Sequence, residues 1–102
     1  MALELNDLNF SETISNEEKI VMVDFFAEWC APCKAMGKIL DNLKEEYPEI
    51  KIEKVDIDKE HDIVSTYNVR SIPYVVIFKE DEIIYQGSGV INKEQILNII
   101  NG

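Results

Sequence analysis

Hydrophobic and polar residues show two different periodicities along this 102-residue chain, one typical of strands and one typical of helices. Two segments, 20–26 and 74–78, are almost wholly apolar and rich in β-branched and aromatic residues, as expected of strands covered on both faces. Residues 50–57 alternate apolar and charged positions, which predicts a strand with one buried face. The alternation of Leu3 and Leu5 around Glu4 predicts a short edge strand. Residues 83–85 are predicted to pair back on the preceding strand as a hairpin.

Helical spacing appears between these strands. Apolar residues recur at three- and four-residue steps from Met36 to Tyr47, which predicts a helix that Pro48 ends. A first helix is predicted over 8–14, with Asn6 or Asp7 as its cap. Two more helices are predicted around 61–67 and from Asn92, the second with Gln95 as its capping-box partner.

The predicted order of elements is β-α-β-α-β-α-β-β-α. Strands that alternate with helices indicate an α/β fold with a central sheet and helices on both faces. The final hairpin makes this sheet of about five strands mixed, and four α-helices flank it. Gly87 and Gly89 are expected to break the last strand. The length predicts a single domain over residues 1–102.

The net charge of −10 excludes some classes of partner. It argues against a nucleic-acid backbone and an anionic membrane surface, and it favours a soluble monomer. No segment reaches the roughly 20 apolar residues of a membrane span. The first residues lack the basic and apolar regions of a secretory signal, so a cytoplasmic location is expected.

The only two cysteines, Cys30 and Cys33, lie where the first apolar strand gives way to the long helix. Cys30 is predicted at or just before the helix start and Cys33 in its first turn, where Pro32 also fits. A helix start carries partial positive charge and free N–H groups, so it favours a thiolate over a thiol. The thiolate is the nucleophile in disulfide exchange.

Three interpretations of the cysteine pair follow from its spacing. It could be half of a metal site, but such a site normally needs four ligands and the chain has one histidine, His61, so two chains would have to share it. It could be a pair of buried structural thiols. It could be a redox dithiol, because Cys-x-x-Cys beside a strand–helix pattern is the usual setting of that chemistry.

Two further residues stand out against their surroundings. Asp24 is a carboxylate in an apolar strand, so it either points outward or forms a salt bridge, or it is desolvated near Cys33 with a raised pKa and accepts a proton there. Gly37 lies inside the long helix, where glycine is unfavourable. It is either simply tolerated or marks a bend or a close packing contact.

Five separated pieces of the sequence occur together in one protein family. They are Trp29-Cys30-Ala31-Pro32-Cys33-Lys34, Val23-Asp24-Phe25, Lys54, Ile72-Pro73 and Gly89. In these pieces, and over essentially its whole length, the chain resembles the thioredoxin family. The resemblance implies the thioredoxin fold and a thiol-disulfide oxidoreductase that reduces protein disulfides. It implies no cofactor beyond the Cys30–Cys33 disulfide, no metal, and two kinds of partner: disulfide-containing proteins and a thioredoxin reductase.

The resemblance also implies roles for individual residues. Cys30 is expected to be the nucleophile and the more exposed sulfur, and Cys33 the resolving cysteine. Asp24 is expected to accept the Cys33 proton, and Lys54 to pair with Asp24 and moderate its pKa. Pro73 is expected to follow a cis peptide bond and to leave the Ile72 backbone free for a substrate. A flat apolar docking patch is expected from Trp29, Ala31, Pro32, Ile72, Tyr74 and Gly89.

Several residues depart from the family pattern. Ala31 replaces a glycine, Phe26 a common tryptophan, Tyr74 a common threonine and Lys38 a proline, and Glu80-Asp81 replaces Asn-Gly in the hairpin. These changes bear on redox potential and partner choice. Two alternative functions therefore stay open: a dedicated reductant for a single partner, and a non-catalytic docking subunit.

Overall fold

The structure, a computed structural model, describes residues 3–4 and 20–102. Strands and helices alternate along these residues in the predicted order. They are strand β1 Leu3–Glu4, strand β2 Ile20–Phe26, helix α1 Ala31–Glu46, strand β3 Lys51–Asp56, helix α2 His61–Thr66, strand β4 Tyr74–Lys79, strand β5 Glu82–Ser88 and helix α3 Lys93–Asn101. The helix predicted over 8–14, with its cap at Asn6 or Asp7, lies outside the described residues.

The five strands form one mixed sheet in the order β1-β3-β2-β4-β5. Strand β3 pairs in parallel with both β1 and β2, whereas β4 runs antiparallel to both β2 and β5. The predicted mixed sheet is therefore confirmed. The carboxyl ends of β2 and β3 and the start of β4 consequently meet at one edge of the sheet.

Helices cover both faces of the sheet and create two apolar clusters. One face of β2, β3 and β4 packs against α1 and α3, with Met36, Leu40 and Ile96 among the buried residues. The opposite face packs against α2 through Ile63. Strand β2 is thus covered on both sides, which explains its almost continuous apolar sequence.

Local sequence signals account for the ends of two helices. Asn92 caps α3: its side chain accepts a hydrogen bond from the Gln95 N–H at 2.8 Å, and the Gln95 side chain accepts one from the Asn92 N–H at 2.9 Å. The predicted capping box is therefore confirmed. Helix α1 ends before Pro48, and the Lys44 ammonium donates to the carbonyl oxygens of Pro48 and Ile50 beyond it.

The hairpin between β4 and β5 differs from the prediction. Strand β5 continues through Gly87 to Ser88, so the expectation that Gly87 breaks it is wrong. Gly87 pairs with Val75 of β4 and Ser88 pairs with Tyr74, so both residues remain in the strand ladder. The turn itself places Glu80 and Asp81 at positive φ, 51° and 72°.

Among the described residues, no helix is long and apolar enough to cross a membrane.

Candidate functional site

The residues singled out in the sequence meet at one edge of the sheet. Register pairs Phe26 at the end of β2 with Asp56 at the end of β3, and Phe25 with Tyr74 at the start of β4. Tyr74 in turn faces Ser88 at the end of β5. The cysteine segment, the loop after β3 and the loop before β4 therefore emerge side by side, although they are far apart in sequence.

Cys30 and Cys33 form a disulfide at the start of α1. Cys30 is the N-cap residue, and its Sγ atom accepts a hydrogen bond from the Cys33 N–H at 3.2 Å. The predicted positions of both cysteines and of Pro32 in the first turn are confirmed. In the reduced protein, this N–H and the helix dipole would stabilise negative charge on Cys30 sulfur more than on a sulfur in solution.

The exposure of the two cysteines does not distinguish them. Both residues are 5% exposed as whole residues, so the expectation that Cys30 has the more exposed sulfur stays a prediction. They form a small cluster with Ala27, and Ile57 and Ile72 pack against its sides. These flanking residues come from the loops after β3 and before β4, whose positions the local sequence around the cysteines does not specify. Helix position, rather than exposure, is what separates Cys30 from Cys33.

Asp24 is buried at the centre of the sheet, with 1% of its surface exposed. Its Oδ1 atom has no hydrogen-bond partner. Burial raises the pKa of Asp24 from 3.8 to about 7, and the nearby Lys54 ammonium opposes this rise. The burial of Asp24 excludes an outward position and supports the interpretation as a desolvated carboxyl.

A groove of about 600 Å3 connects Asp24 with the second cysteine. Asp24, Cys33, Gly37 and Lys54 all line it. Lys54 is the register partner of Asp24 on the neighbouring strand, yet the ion pairs shorter than 4 Å between described residues do not include these two. Lys54 thus acts on Asp24 through space, and the groove provides room for water between carboxyl and thiol.

Trp29 is the most prominent apolar side chain beside the disulfide, with 70% of its surface exposed. Its indole N–H donates a hydrogen bond to the Asp58 carboxylate at 2.9 Å. The sequence analysis missed Asp58, which is 29 residues away. The available signal was its place just after β3, because parallel strands bring their carboxyl ends to the same edge.

Other predicted docking residues lie around the disulfide. Ala31 and Pro32 are exposed, and Ile72 is half-buried against the cysteine cluster. The Ile72–Pro73 peptide bond is cis, as the resemblance implied, and Pro73 is buried. Gly89 has a positive φ of 100°, which glycine adopts readily, and its N–H donates to the Pro73 carbonyl oxygen at 2.8 Å.

Tyr74 contacts the α2 face of the sheet. Its ring packs against the cluster on the α2 face of the sheet, edge-on to Phe25 at 6.0 Å, and its hydroxyl donates to Gln86. Side chains alternate along a strand, so the residue after Pro73 is directed to this face. Val90 was missed: it is 44% exposed and directly follows Gly89.

Comparisons with known proteins agree with this geometry. The sequence model of thioredoxins matches residues 1–102. The chain belongs to the thioredoxin family. It is 41% identical to the thioredoxin of Chlamydia pneumoniae over 93 residues, which cover 91% of this chain and 89% of that protein. It is 36% identical to a Buchnera aphidicola thioredoxin over 100 residues, covering 97% and 92%.

A solved structure extends the likeness to the fold. The crystal structure of chloroplastic thioredoxin z has a TM-score of 0.89 to this thioredoxin, with 25% sequence identity, and the match covers 98% of this chain and 91% of that one. The predicted thioredoxin fold is therefore confirmed. The number of helices among the described residues is three, because the predicted first helix falls outside them.

The function follows from the family and the cysteine pair. This thioredoxin is a thiol-disulfide oxidoreductase of the protein-disulfide reductase class, and Cys30 and Cys33 are its redox-active pair. Family membership and the disulfide together favour the redox interpretation of the two cysteines. They do not favour the two alternative functions, a docking subunit and a reductant for a single partner. Within the described part of the chain, no group of three or more His, Cys, Asp or Glu side chains is arranged to hold a metal ion.

Proposed function

We propose that Cys30 is the nucleophile of the exchange reaction and Cys33 the resolving cysteine. The observation that carries this assignment is the hydrogen bond from the Cys33 N–H to Cys30 Sγ at the start of a 16-residue helix. The Cys30 thiolate attacks one sulfur of a target disulfide, forming a mixed disulfide and releasing the other target sulfur as a thiol. Cys33 then attacks Cys30, and the target leaves fully reduced.

Asp24 is the proton acceptor in the second step. Cys33 must lose its proton before it attacks Cys30, and a base is most effective when its pKa lies near the working pH. Burial brings the pKa of Asp24 to about 7, and the carboxyl lines the same groove as Cys33. Lys54 keeps that pKa from rising further, so that a useful fraction of Asp24 is ionised near neutral pH.

Targets bind to the apolar surface beside the disulfide. Trp29, Ala31, Pro32, Ile72 and Gly89 form this surface, with the cis peptide before Pro73 at its centre. An extended target segment would meet the Ile72 backbone there. The exposed indole, held by Asp58, supports a docking role because exposed apolar surface of this kind is typical of protein interaction sites.

The setting and the partners of the reaction follow from the chemistry of disulfides. The protein acts as a single-domain monomer in the cytoplasm, where disulfides are usually transient and catalytic. It reduces disulfide-containing proteins and is recharged by a thioredoxin reductase, with the Cys30–Cys33 disulfide as its only redox group. Tyr74 would border the docking surface, with its ring packed on the α2 face of the sheet.

A trapping experiment tests the assignment of the two cysteines. In insulin reduction with a chemical reductant, the wild-type protein should accelerate turbidity, whereas Cys30→Ser and Cys33→Ser should not. With a disulfide-containing target, Cys33→Ser should accumulate a mixed disulfide through Cys30, because nothing resolves it. The reverse result, a stable adduct on Cys33 in the Cys30→Ser protein, would exchange the two roles. No acceleration by the wild-type protein would refute the proposed activity.

A further inference from the structure

Gly37 weakens the helix in which it lies. A glycine inside a helix is less favourable than alanine by about 0.5–1 kcal/mol, and Gly37 is near the middle of α1. The backbone conformation of Gly37 does not require glycine, because among the described glycines only Gly89 has a positive φ. The reason therefore has to be found in the space around the residue.

A side chain at Gly37 would meet Lys54. A Cβ atom built on Gly37 would lie 3.5 Å from Lys54 Nζ, and no other described group outside the helix itself lies within 4 Å of it. Gly37 is buried, and both residues line the groove that Asp24 and Cys33 share. A methyl group would fit there at ordinary contact distance, whereas a larger side chain would compete with the Lys54 ammonium for the space under the helix.

The position of this ammonium matters because it is the positive group that acts on Asp24. On the sheet, the uncharged Val75 flanks Asp24 on β4, and Asp56 lies two residues beyond Lys54 on the same face of β3. The remaining charged side chains that line the groove, from α1 and the loop before it, are Glu28, Lys34, Lys38 and Asp41. Lys54 is directly across the strand pair from Asp24, so its displacement would change the surroundings of the carboxyl most.

We propose that Gly37 is a positioning residue for the resolving step, whose missing side chain keeps the Lys54 ammonium beside Asp24. This inference rests on the proposed role of Asp24. In that step the Cys33 thiol transfers its proton to the Asp24 carboxylate, and the thiolate forms a bond to Cys30 Sγ as the bond from Cys30 to the target breaks. When Lys54 is displaced, the ionised form of Asp24 is less stable. A smaller fraction of molecules then has Asp24 ionised near neutral pH.

The test is the titration of Asp24 by carbon-13 NMR in the oxidised protein, where the cysteines do not titrate. Gly37→Val should raise the titration midpoint of Asp24 by roughly 0.5 to 1, and Lys54→Met should raise it at least as far, because both weaken the same favourable charge. Gly37→Ala should leave the midpoint unchanged, since its methyl fits at ordinary contact distance. Gly37→Leu provides the test if valine disturbs folding.

Ala35→Val is the matched control. It places the same side chain in α1 at an exposed position, and it should leave the Asp24 midpoint unchanged. The proposal is overturned if Lys54→Met moves the midpoint and the larger side chain at Gly37 does not, or if Lys54→Met itself has no effect.

The rate at which the mixed disulfide resolves, measured against pH in the same variants, separates this inference from the proposed function. A pH profile that moves with the Asp24 midpoint supports both. If the midpoint moves and the profile stays in place, Gly37 positions Lys54 as stated, but Asp24 is not the base. The role of Gly37 in the resolving step is then refuted together with that assignment.

Discussion

Replacing Asp24 by Asn should stabilise the oxidised protein in a strongly pH-dependent way. Burial raises the pKa of Asp24 from 3.8 to about 7 in the folded protein, whereas the unfolded chain restores the ordinary value. Because one pKa unit corresponds to about 1.4 kcal/mol, this difference is worth about 4 kcal/mol. That is a large part of the free energy of about 5–15 kcal/mol by which domains are typically stable.

The direction of the effect follows from proton binding. The folded protein holds the Asp24 proton more tightly than the unfolded chain does, so the contribution of Asp24 is fully present below a pH of 3.8. It is lost as the pH rises from 3.8 through about 7, because over this range the unfolded chain has released the Asp24 proton while the folded protein still holds it. Asn cannot ionise, so the Asp24→Asn variant lacks this loss of stability between pH 3.8 and about 7.

Urea unfolding of both proteins at several pH values measures the effect. The free energy of unfolding of Asp24→Asn minus that of the wild type should increase by up to about 4 kcal/mol between about pH 4 and about pH 8. Asp41→Asn is the control: this carboxylate lines the same groove but is exposed, so its removal should change stability by less than about 0.5 kcal/mol at both ends. A difference between Asp24→Asn and wild type that is constant with pH would refute the account of Asp24 as a buried acid.

Three further predictions concern the turn, the last helix and the docking surface. Glu80→Asn combined with Asp81→Gly should raise the free energy of unfolding in urea by about 1–2 kcal/mol, because both residues have positive φ; unchanged stability would contradict that strain. Asn92→Ala should lower it by about 1 kcal/mol by removing the helix cap, whereas Asn92→Asp, which keeps an acceptor, should not. Asp58→Ala should free the indole of Trp29, the only tryptophan, and lower its fluorescence anisotropy, while Asp58→Asn retains an acceptor oxygen. Identical anisotropy in Asp58→Ala and wild type would show that the bond does not restrain the indole in solution.

The elements that sequence analysis predicted well depend on nearby residues. The helix start at Cys30 and Cys33 follows from the apolar periodicity that begins at Met36, together with a proline suited to a first turn. The capping box of α3 is contained in four consecutive residues. The cis bond before Pro73 was predicted from the family resemblance alone, because X–Pro bonds are mostly trans.

What local sequence could not predict concerns how segments meet in space. Gly87 was expected to break the last strand, but its pairing with Val75 of β4 keeps it in the ladder. The environment of the cysteine pair depends on Ile57 and Ile72, which come from two other loops. Asp58 was missed because its bond to Trp29 joins residues 29 positions apart.

The sequence by itself determined the order of strands and helices and the placement of a dithiol at a helix start, because periodicity, capping and turn chemistry act between neighbours along the chain. Assembly of the sheet and helices was needed to bury Asp24 with a pKa of about 7, to place Lys54 across from it, and to bring Gly37 next to the ammonium. Desolvation and charge interactions depend on distances through space, and these exist only after the sheet has assembled.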